Sequence, residues 1–258
     1  MYKKPFFSII IPTYNRGYII NQAIESVLNQ SFKNWELIIV DDGSTDNTQE
    51  IVEQYLKKVN GDKIFYFKFN QNKGVNVARN FGISKAKGKY ILPLDSDNQF
   101  LENSFQLIFN VLNRKEYPLS FFQIRTFSGK EISKPIEGFV NSKDYICEVY
   151  KGEYFPVVQR DIILRFPFEE SINGGESIAW KRIVKQLGGV YFYSYKVLLY
   201  NDLLEDRLSI KRKNFKRLAN VFKKDLLIFG NDYLKLCPKL FFEKLMKLLI
   251  YSSLSLFS

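Results

Sequence analysis

Apolar residues along this chain fall into short runs separated by amphipathic stretches. Residues 6–12 are apolar except for Ser8, and residues 35–40, 64–69 and 90–94 form further runs. Runs of this length suit central strands of a parallel sheet, which are buried on both faces. Between them, Ile19, Ile20, Ala23, Ile24, Val27 and Leu28 recur at helical spacing. Ile51, Val52, Tyr55 and Leu56 do the same behind Asp46, which is placed to cap their helix, and residues 75–85 read as a third helix. Strand–helix repeated three times and then a strand predicts an α/β fold. Its sheet is mainly parallel, flanked by helices and joined by right-handed crossovers. Further on, the pattern predicts a helix over 101–112, strands over 119–127 and 189–200 and a weaker strand ending at Phe139. It also predicts a short helix from Ser142 and an amphipathic helix through Ile178, Ala179, Ile183, Val184 and Leu187.

The polar residues worth following sit where strands end, and there such sheets bind ligands. The run 90–94 stops at Asp95 and Asp97. Side chains i and i+2 of an extended chain project the same way, so both carboxylates can reach one point. They repel unless a cation sits between them, and hard oxygen ligands suit Mg²⁺ or Mn²⁺ together with phosphate oxygens. Taken alone, the pair also suits a turn. Thr13 and Tyr14 follow the first strand and Asp41 and Asp42 the second. Three polar strand ends are harder to dismiss as turns than one. There is no Gly-x-Gly-x-x-Gly after the first strand and no Walker lysine loop.

Composition narrows the chemistry. The 258 residues are 46% hydrophobic and 25% charged, a globular composition. No histidine is present, which removes Ser-His-Asp and Cys-His catalysis and imidazole zinc sites. A general base must then be Asp, Glu, Lys, Tyr or Cys. Cys147 and Cys237 lie far apart without metal spacing and read as buried thiols in a reducing compartment. The start lacks the pattern of a signal peptide, and no apolar run is long enough to span a bilayer. The net charge of +11 favours polyanionic partners. Much of it lies beyond residue 206, where basic and apolar residues interleave as in helices that lie on anionic membranes. Such helices could equally pack on a catalytic domain with basic outer faces. Nucleic acid is not expected as a partner, for want of a recognition helix or a single-strand platform.

Four motifs occur in order over roughly the first 115 residues. They are Ile9-Ile10-Ile11-Pro12-Thr13-Tyr14-Asn15-Arg16, Val40-Asp41-Asp42-Gly43-Ser44-Thr45-Asp46, Asn72-Lys73-Gly74 with Ala78-Arg79-Asn80-Phe81-Gly82, and Gly88-Lys89-Tyr90-Ile91 leading to Asp95-Ser96-Asp97. Together they resemble family 2 glycosyltransferases of GT-A fold. The resemblance implies a nucleotide-sugar donor, Mn²⁺ or Mg²⁺, and inversion at the anomeric carbon.

Position by position, it implies that Pro12, Thr13 and Tyr14 line the base pocket and that Asp42, beside Asp41, accepts from the uracil N–H. Lys73, Arg79 and Ser96 would lie near the diphosphate, and Asp97 would hold the metal with Asp95. For Asp41 and Asp42 a helix-start cluster, and for Arg79 a structural ion pair, remain open. The segment from Gly152 resembles the acceptor side, which makes Glu153 an acceptor contact or an ordinary strand-end acid. Glu176 opens the helix after Asn173-Gly174-Gly175, where an acid also complements the helix dipole. Most family members carry Glu-Asp at this point. Here it is Glu176-Ser177, and Glu176 is the expected base, with partial burial raising its pKa. Arg207 stands in for a missing histidine near the diphosphate.

The expected organisation is a nucleotide-sugar-binding half (1–115), an acceptor half (116–206) and a helical basic extension (207–258). The expected activity is transfer of a hexose from a UDP-sugar to a lipid-linked or envelope glycan. It would be carried out in the cytoplasm, peripherally at the inner face of the membrane. The alternatives are a nucleotidyltransferase and a catalytically weak, transferase-like protein that binds membrane surfaces or nucleic acid.

Overall fold

In the computed structural model, which describes residues 4–59, 63–150, 152–204 and 214–256, the strands form one nine-stranded sheet. Its parallel half is β3 (Ile64–Lys68), β2 (Trp35–Asp41), β1 (Phe7–Thr13) and β4 (Tyr90–Pro93), in that order. Every residue of β1 and β2 is buried. The reason is visible in the packing. Ile9 and Ile11 face a core shared with α1 (Ile20–Leu28), α2 (Thr48–Lys58) and α4 (Ser104–Arg114), and Ile10 faces a second core shared with α3 (Val75–Lys85) and α7 (Ser177–Leu187). Both faces are covered, so the strands are apolar without alternation. One buried polar group of this half is met several times over. Ser8 donates to Glu36 at 2.5 Å, and Glu36 also accepts from the Lys87 and Gly88 amides.

Beyond β4 the sheet turns mixed. β8 (Phe155–Gln159) pairs antiparallel with β4, followed by β6 (Leu119–Thr126), β9 (Gly189–Tyr200) and the short β5 (Gln99–Phe100), while β7 (Gly138–Asn141) pairs with β9. Two registers position the site. Ile10 pairs with Pro93, and Leu94 donates to the Ile10 carbonyl, so the chain carries on to set Asp95 beside Pro12. Tyr90 pairs with Gln159, which brings the opposite end of β8, and with it Glu153, to the same edge.

Differences from the sequence reading are local. β5 takes residues 99–100 to pair with β9, so α4 starts at Ser104 and not at 101. The helix α5 (Ser142–Ile146) is capped by Asn141, whose side chain accepts from the Asp144 amide, and not by Ser142. A turn-length helix, α6 (Arg160–Arg165), follows β8, and the sequence pattern predicted neither element. Asp46 does accept the Thr48 amide at the start of α2, and its other oxygen holds the Gly17 amide.

The two cysteines are not free thiols. Cys147 and Cys237 are joined in a disulfide with Cα atoms 5.8 Å apart. The fold brings together two residues that sequence spacing could not connect. Cys237 lies between α8 (Phe215–Leu236) and α9 (Pro238–Leu254), an antiparallel helical pair packed on α5 and α7. Beside the disulfide lies a buried ionic cluster. Lys181 of α7 contacts Glu148 at 2.8 Å, Asp225 of α8 at 3.2 Å and the Tyr233 hydroxyl at 2.9 Å. Lys244 of α9 contacts the same Glu148 at 2.7 Å and Asp225 at 2.9 Å. These helices are therefore a docked part of the fold, and some of their charge is spent inside it.

Burial would raise the Glu148 carboxyl, but Lys181 and Lys244 outweigh it and hold its pKa down at about 2. This stabilisation is complete above the ordinary carboxylate range and is lost as pH falls through about 2. Acid unfolding should therefore release α8 and α9 in that window, read as loss of hydrogen-exchange protection in 215–254. Asp225→Asn leaves two buried ammonium groups sharing one carboxylate, and should cost about 3 kcal/mol in urea unfolding at neutral pH.

Candidate active site

At the carboxyl edge of the parallel strands lies a cavity of about 920 Å³, the size of a site for a nucleotide-sized ligand. Pro12, Thr13 and Tyr14 line it from the end of β1. The Thr13 hydroxyl is buried without a hydrogen-bond partner among the described residues, and a buried donor left so favours a ligand that can accept from it. Asp42 lines the cavity from the end of β2, and its two oxygens accept from the Lys73 amide at 2.7 Å and the Gly74 amide at 2.8 Å. Burial and the neighbouring Asp41 push its carboxyl above the ordinary range, against the pull of those two amides and of the Lys73 charge. Gly74 is required there, because its φ is +101° and a Cβ would sit 2.5 Å from the Asn173 side chain.

Asp41 does not reach the cavity. It is fully buried, with its oxygens on the Ser44 amide and the Tyr66 hydroxyl. Its role is to brace the loop that follows β2, nearer the helix-start alternative than the nucleotide contact expected of it. Lys73 stays outside too, exposed, with its ammonium 4.9 Å from the Phe69 ring. Arg207 lies outside the described residues.

The centre of the site is Arg79. Its side chain is 8% exposed and bridges two carboxylates: Nη2 donates to Asp95 Oδ1 at 2.6 Å, and Nη1 donates to Glu176 Oε1. Phe168 stacks beneath the guanidinium, 5.7 Å from ring centre to Cζ. The structural ion pair left open for Arg79 in the sequence is what forms, and both partners are candidate site residues.

The same face of α3 holds the far segment in place. Asn76, one turn earlier, donates to the Glu169, Ile172 and Gly174 carbonyls. Asn80 exchanges hydrogen bonds with the Phe168 backbone in both directions. Positions i, i+3 and i+4 share one helix face, so a single turn of α3 fixes residues 168–176. Gly174 and Gly175 then take φ of +83° and +73°, and Glu176 arrives at the N-terminus of α7 facing the cavity. Ser177 is exposed and is not among the lining residues.

The electrostatics of Glu176 differ from the expectation. Desolvation raises its pKa, but Arg79, its own backbone amide and Arg217 pull harder, and the net shift is downward. It is a carboxylate held ionised by a paired arginine. Glu153 shows the opposite. It lines the same cavity with no side-chain partner among the described residues, and withdrawal from water, Glu176 and Asp95 together raise its pKa. Arg217 of α8, read from the sequence only as one of many basic helix residues, also lines the cavity and donates to the Asn173 carbonyl at 3.3 Å. Nothing local marked it, since only the docking of α8 brings it here.

Asp95, Ser96 and Asp97 line the wall just beyond β4. Among the described residues no cluster of three or more His, Cys, Asp or Glu is placed to hold a metal. The donor set nevertheless fits Mg²⁺ or Mn²⁺, which take one or two carboxylates and complete their shell with water and phosphate oxygens. Asp95 keeps one oxygen on Arg79 and has the other to offer. Charge favours the same fit: among the described residues the lining contains five acids (Asp42, Asp95, Asp97, Glu153, Glu176) and three arginines (Arg16, Arg79, Arg217). Among the described residues the lining is net negative, in a chain whose formal charge is +11.

Comparison with known proteins agrees with this architecture. The chain is 31% identical over 257 residues to a GalNAc(5)-diNAcBac-PP-undecaprenol beta-1,3-glucosyltransferase of Campylobacter jejuni, covering 90% of this chain and 79% of that protein. Other curated glycosyltransferase relatives are matched over 29 to 57% of their own length. Among solved structures, S. aureus TarS 1-349 in complex with UDP-GlcNAc superposes with TM-score 0.69 at 19% identity, over 85% of this chain and 66% of that one. A mannosyltransferase from Pyrobaculum calidifontis in complex with GDP-Man and Mn²⁺ gives 0.66 at 16% identity, over 98% and 74%. These likenesses establish the GT-A fold. The family model for glycosyl transferase family 2 matches residues 8–169, and the chain belongs to that family.

Proposed function

We propose that the protein transfers a hexose from a UDP-sugar to a hydroxyl of a lipid-linked or envelope glycan, inverting the anomeric centre. The observation that carries this reading is the Arg79 bridge. It puts a candidate metal-binding acid, Asp95, and a candidate base, Glu176, on opposite arms of one guanidinium at the edge of a nucleotide-sized cavity. The UDP-GlcNAc bound to TarS and the lipid-linked acceptor in the name of the Campylobacter relative support the choice of donor and acceptor.

In this reading Pro12, Thr13 and Tyr14 hold the nucleoside, with the Thr13 hydroxyl finding its missing partner there. Asp42 keeps the 72–74 loop against the same pocket and presents its remaining lone pairs to the base. Asp97, with the second oxygen of Asp95, would hold Mn²⁺ or Mg²⁺, which when bound screens the diphosphate and stabilises it as it departs. Ser96 lies between these ligands, and Arg217 offers a cation from the other wall. Glu153 stands on the acceptor side.

The acceptor hydroxyl oxygen attacks the anomeric carbon as the bond to the diphosphate breaks, and the hydroxyl proton passes to Glu176. One displacement with one base needs no protein nucleophile, so the configuration inverts. Arg79 keeps Glu176 deprotonated and oriented, at some cost in basicity.

The first test is calorimetry of UDP titrated into the protein with Mn²⁺ and then with EDTA. Binding should depend on the metal. Glu176→Gln should retain that binding and lose transfer by about a hundredfold or more. Asp97→Asn should lose the metal-dependent part of UDP binding. An active Glu176→Gln enzyme would overturn the base assignment, and absence of UDP binding under both conditions would overturn the transferase reading.

Arg79 has its own signature. Its removal lifts the main pull that keeps Glu176 ionised, so Arg79→Gln should move the acid limb of the transfer pH profile upward. Arg79→Lys, which keeps a charge but cannot bridge two carboxylates in the same way, should move it less.

A further inference from the structure

The docked helical pair leaves one face unexplained. On α9, Phe242, Met246, Leu249, Ile250 and Leu254 are exposed by 59, 55, 53, 49 and 40%. Their spacing puts them on one stripe of the helix. The opposite side of α9 is the one that packs inward. Leu240 and Phe241 join the core under α8, and Lys244 is buried in the ionic cluster. The stripe is therefore not a leftover of poor packing but a second apolar face on a helix whose first is already used. Contiguous exposed apolar surface of this kind marks an interaction site.

The flanks indicate what covers it. Lys239 and Lys247 are exposed on α9, and Lys216 and Lys223 are exposed on α8. Glu243 is the only acid of α9. In a two-fold contact between copies the same patch meets itself, so these lysines would be brought toward their own counterparts. An anionic lipid surface complements both features, since it receives the apolar stripe at the acyl boundary and the ammonium groups among the headgroups. Among the described residues no helix is long and apolar enough to cross a membrane, so α9 would lie along the surface.

The position of the stripe ties it to the site. α8 and α9 run antiparallel, and the Tyr251 ring stacks on Phe215 at 6.0 Å and lies 5.7 Å from Phe222. Phe215 is two residues from Arg217, which lines the cavity. The carboxyl end of α9, which carries the end of the stripe, thus lies against the helix start that enters the site.

We propose that the α9 stripe and its lysines dock the protein on an anionic membrane surface, with the cavity held near the lipid–water boundary where a lipid-borne acceptor presents its headgroup. This rests on the glycosyltransferase reading for the acceptor, but docking can be tested without it.

The experiment is flotation of the full chain with vesicles of phosphatidylcholine alone or mixed with phosphatidylglycerol, at low and high salt. The wild type should float with the mixed vesicles, less so in high salt, and hardly with phosphatidylcholine. Met246→Glu/Leu249→Glu should weaken flotation roughly tenfold or more, and Lys239→Glu/Lys247→Glu should weaken it and remove the salt dependence. UDP calorimetry on each variant keeps the two questions apart. Lost flotation with UDP binding intact supports docking through this face. A wild type that binds UDP yet stays in solution with both vesicles overturns the proposal and leaves the transferase reading standing. Flotation unchanged in the Glu variants overturns it as well, as does a dimer in sedimentation equilibrium that those substitutions dissolve.

Discussion

An arginine side chain with 8% of its surface exposed is tolerated only if its charge is answered. Arg79 is answered twice, by Asp95 from the end of β4 and by Glu176 from the start of α7. These carboxylates come from chain segments about eighty residues apart in sequence, one at the end of a parallel strand and one on the connection between β8 and β9 of the mixed half. The bridge is thus a condition for the two halves to close on each other, and the cavity exists because they do. The charge-assisted geometry also fixes orientation: a fork of donors has fewer ways to satisfy two acceptors than a lysine has. Asn76 and Asn80 add neutral hydrogen bonds from the same helix face to residues 168–174. The bridge is consequently held from the backbone side too, and Glu176 cannot swing away without breaking bonds that have no direct part in the chemistry.

The carboxyl-terminal helices change how the charge of the chain is understood. Read along the sequence, their lysines form one basic stretch. In the fold they divide by partner. Lys244 is buried against Glu148 and Asp225, Lys224 pairs with Glu169, and Arg217 turns toward the cavity. What remains outside is a smaller set of lysines around an apolar stripe. The disulfide from Cys147 to Cys237 and the ionic cluster sit at the same junction, where α5 and α7 meet the helical pair. A helix that delivers a cavity residue needs a fixed seat, and this junction supplies it.

The order of elements was legible because each central strand is buried on both faces and each helix on one, and those are patterns a sequence carries directly. The strand-end residues were legible for the same reason: once the strands are placed, Thr13, Asp42 and Asp95 must fall at one edge. Asp41 was misread because adjacent residues at a strand end point in opposite directions, and nothing local says which of the two carboxylates turns inward. Cys147 and Cys237 were misread because spacing carries no information about a contact ninety residues apart in sequence. Arg217 was seen only as a helix-face base, since its place in the cavity depends on how α8 docks. The Glu176 pKa was expected to rise because burial alone would raise it. The sequence shows the acid but not the arginine that meets it.

The absence of histidine gives the site a particular electrostatic character. No side chain in the chain changes charge near neutral pH without a large shift, so the balance among Asp42, Asp95, Asp97, Glu153, Glu176 and the three lining arginines is essentially built in. Among the described residues that balance is negative, and a nucleoside diphosphate would make it more so. Arg79 cannot correct the deficit, because its charge is already divided between Asp95 and Glu176. Arg217 is one cation at one wall. In the proposed reading, a divalent ion on Asp97 and the second oxygen of Asp95 would offset this charge and let an anionic donor in. The same reasoning accounts for the division between Glu176 and Glu153. Two carboxylates facing one cavity push each other's pKa upward unless one is neutralised, and Arg79 neutralises only Glu176. The pair is thereby separated into a carboxylate kept ionised and one more easily protonated, without any group that titrates at neutral pH.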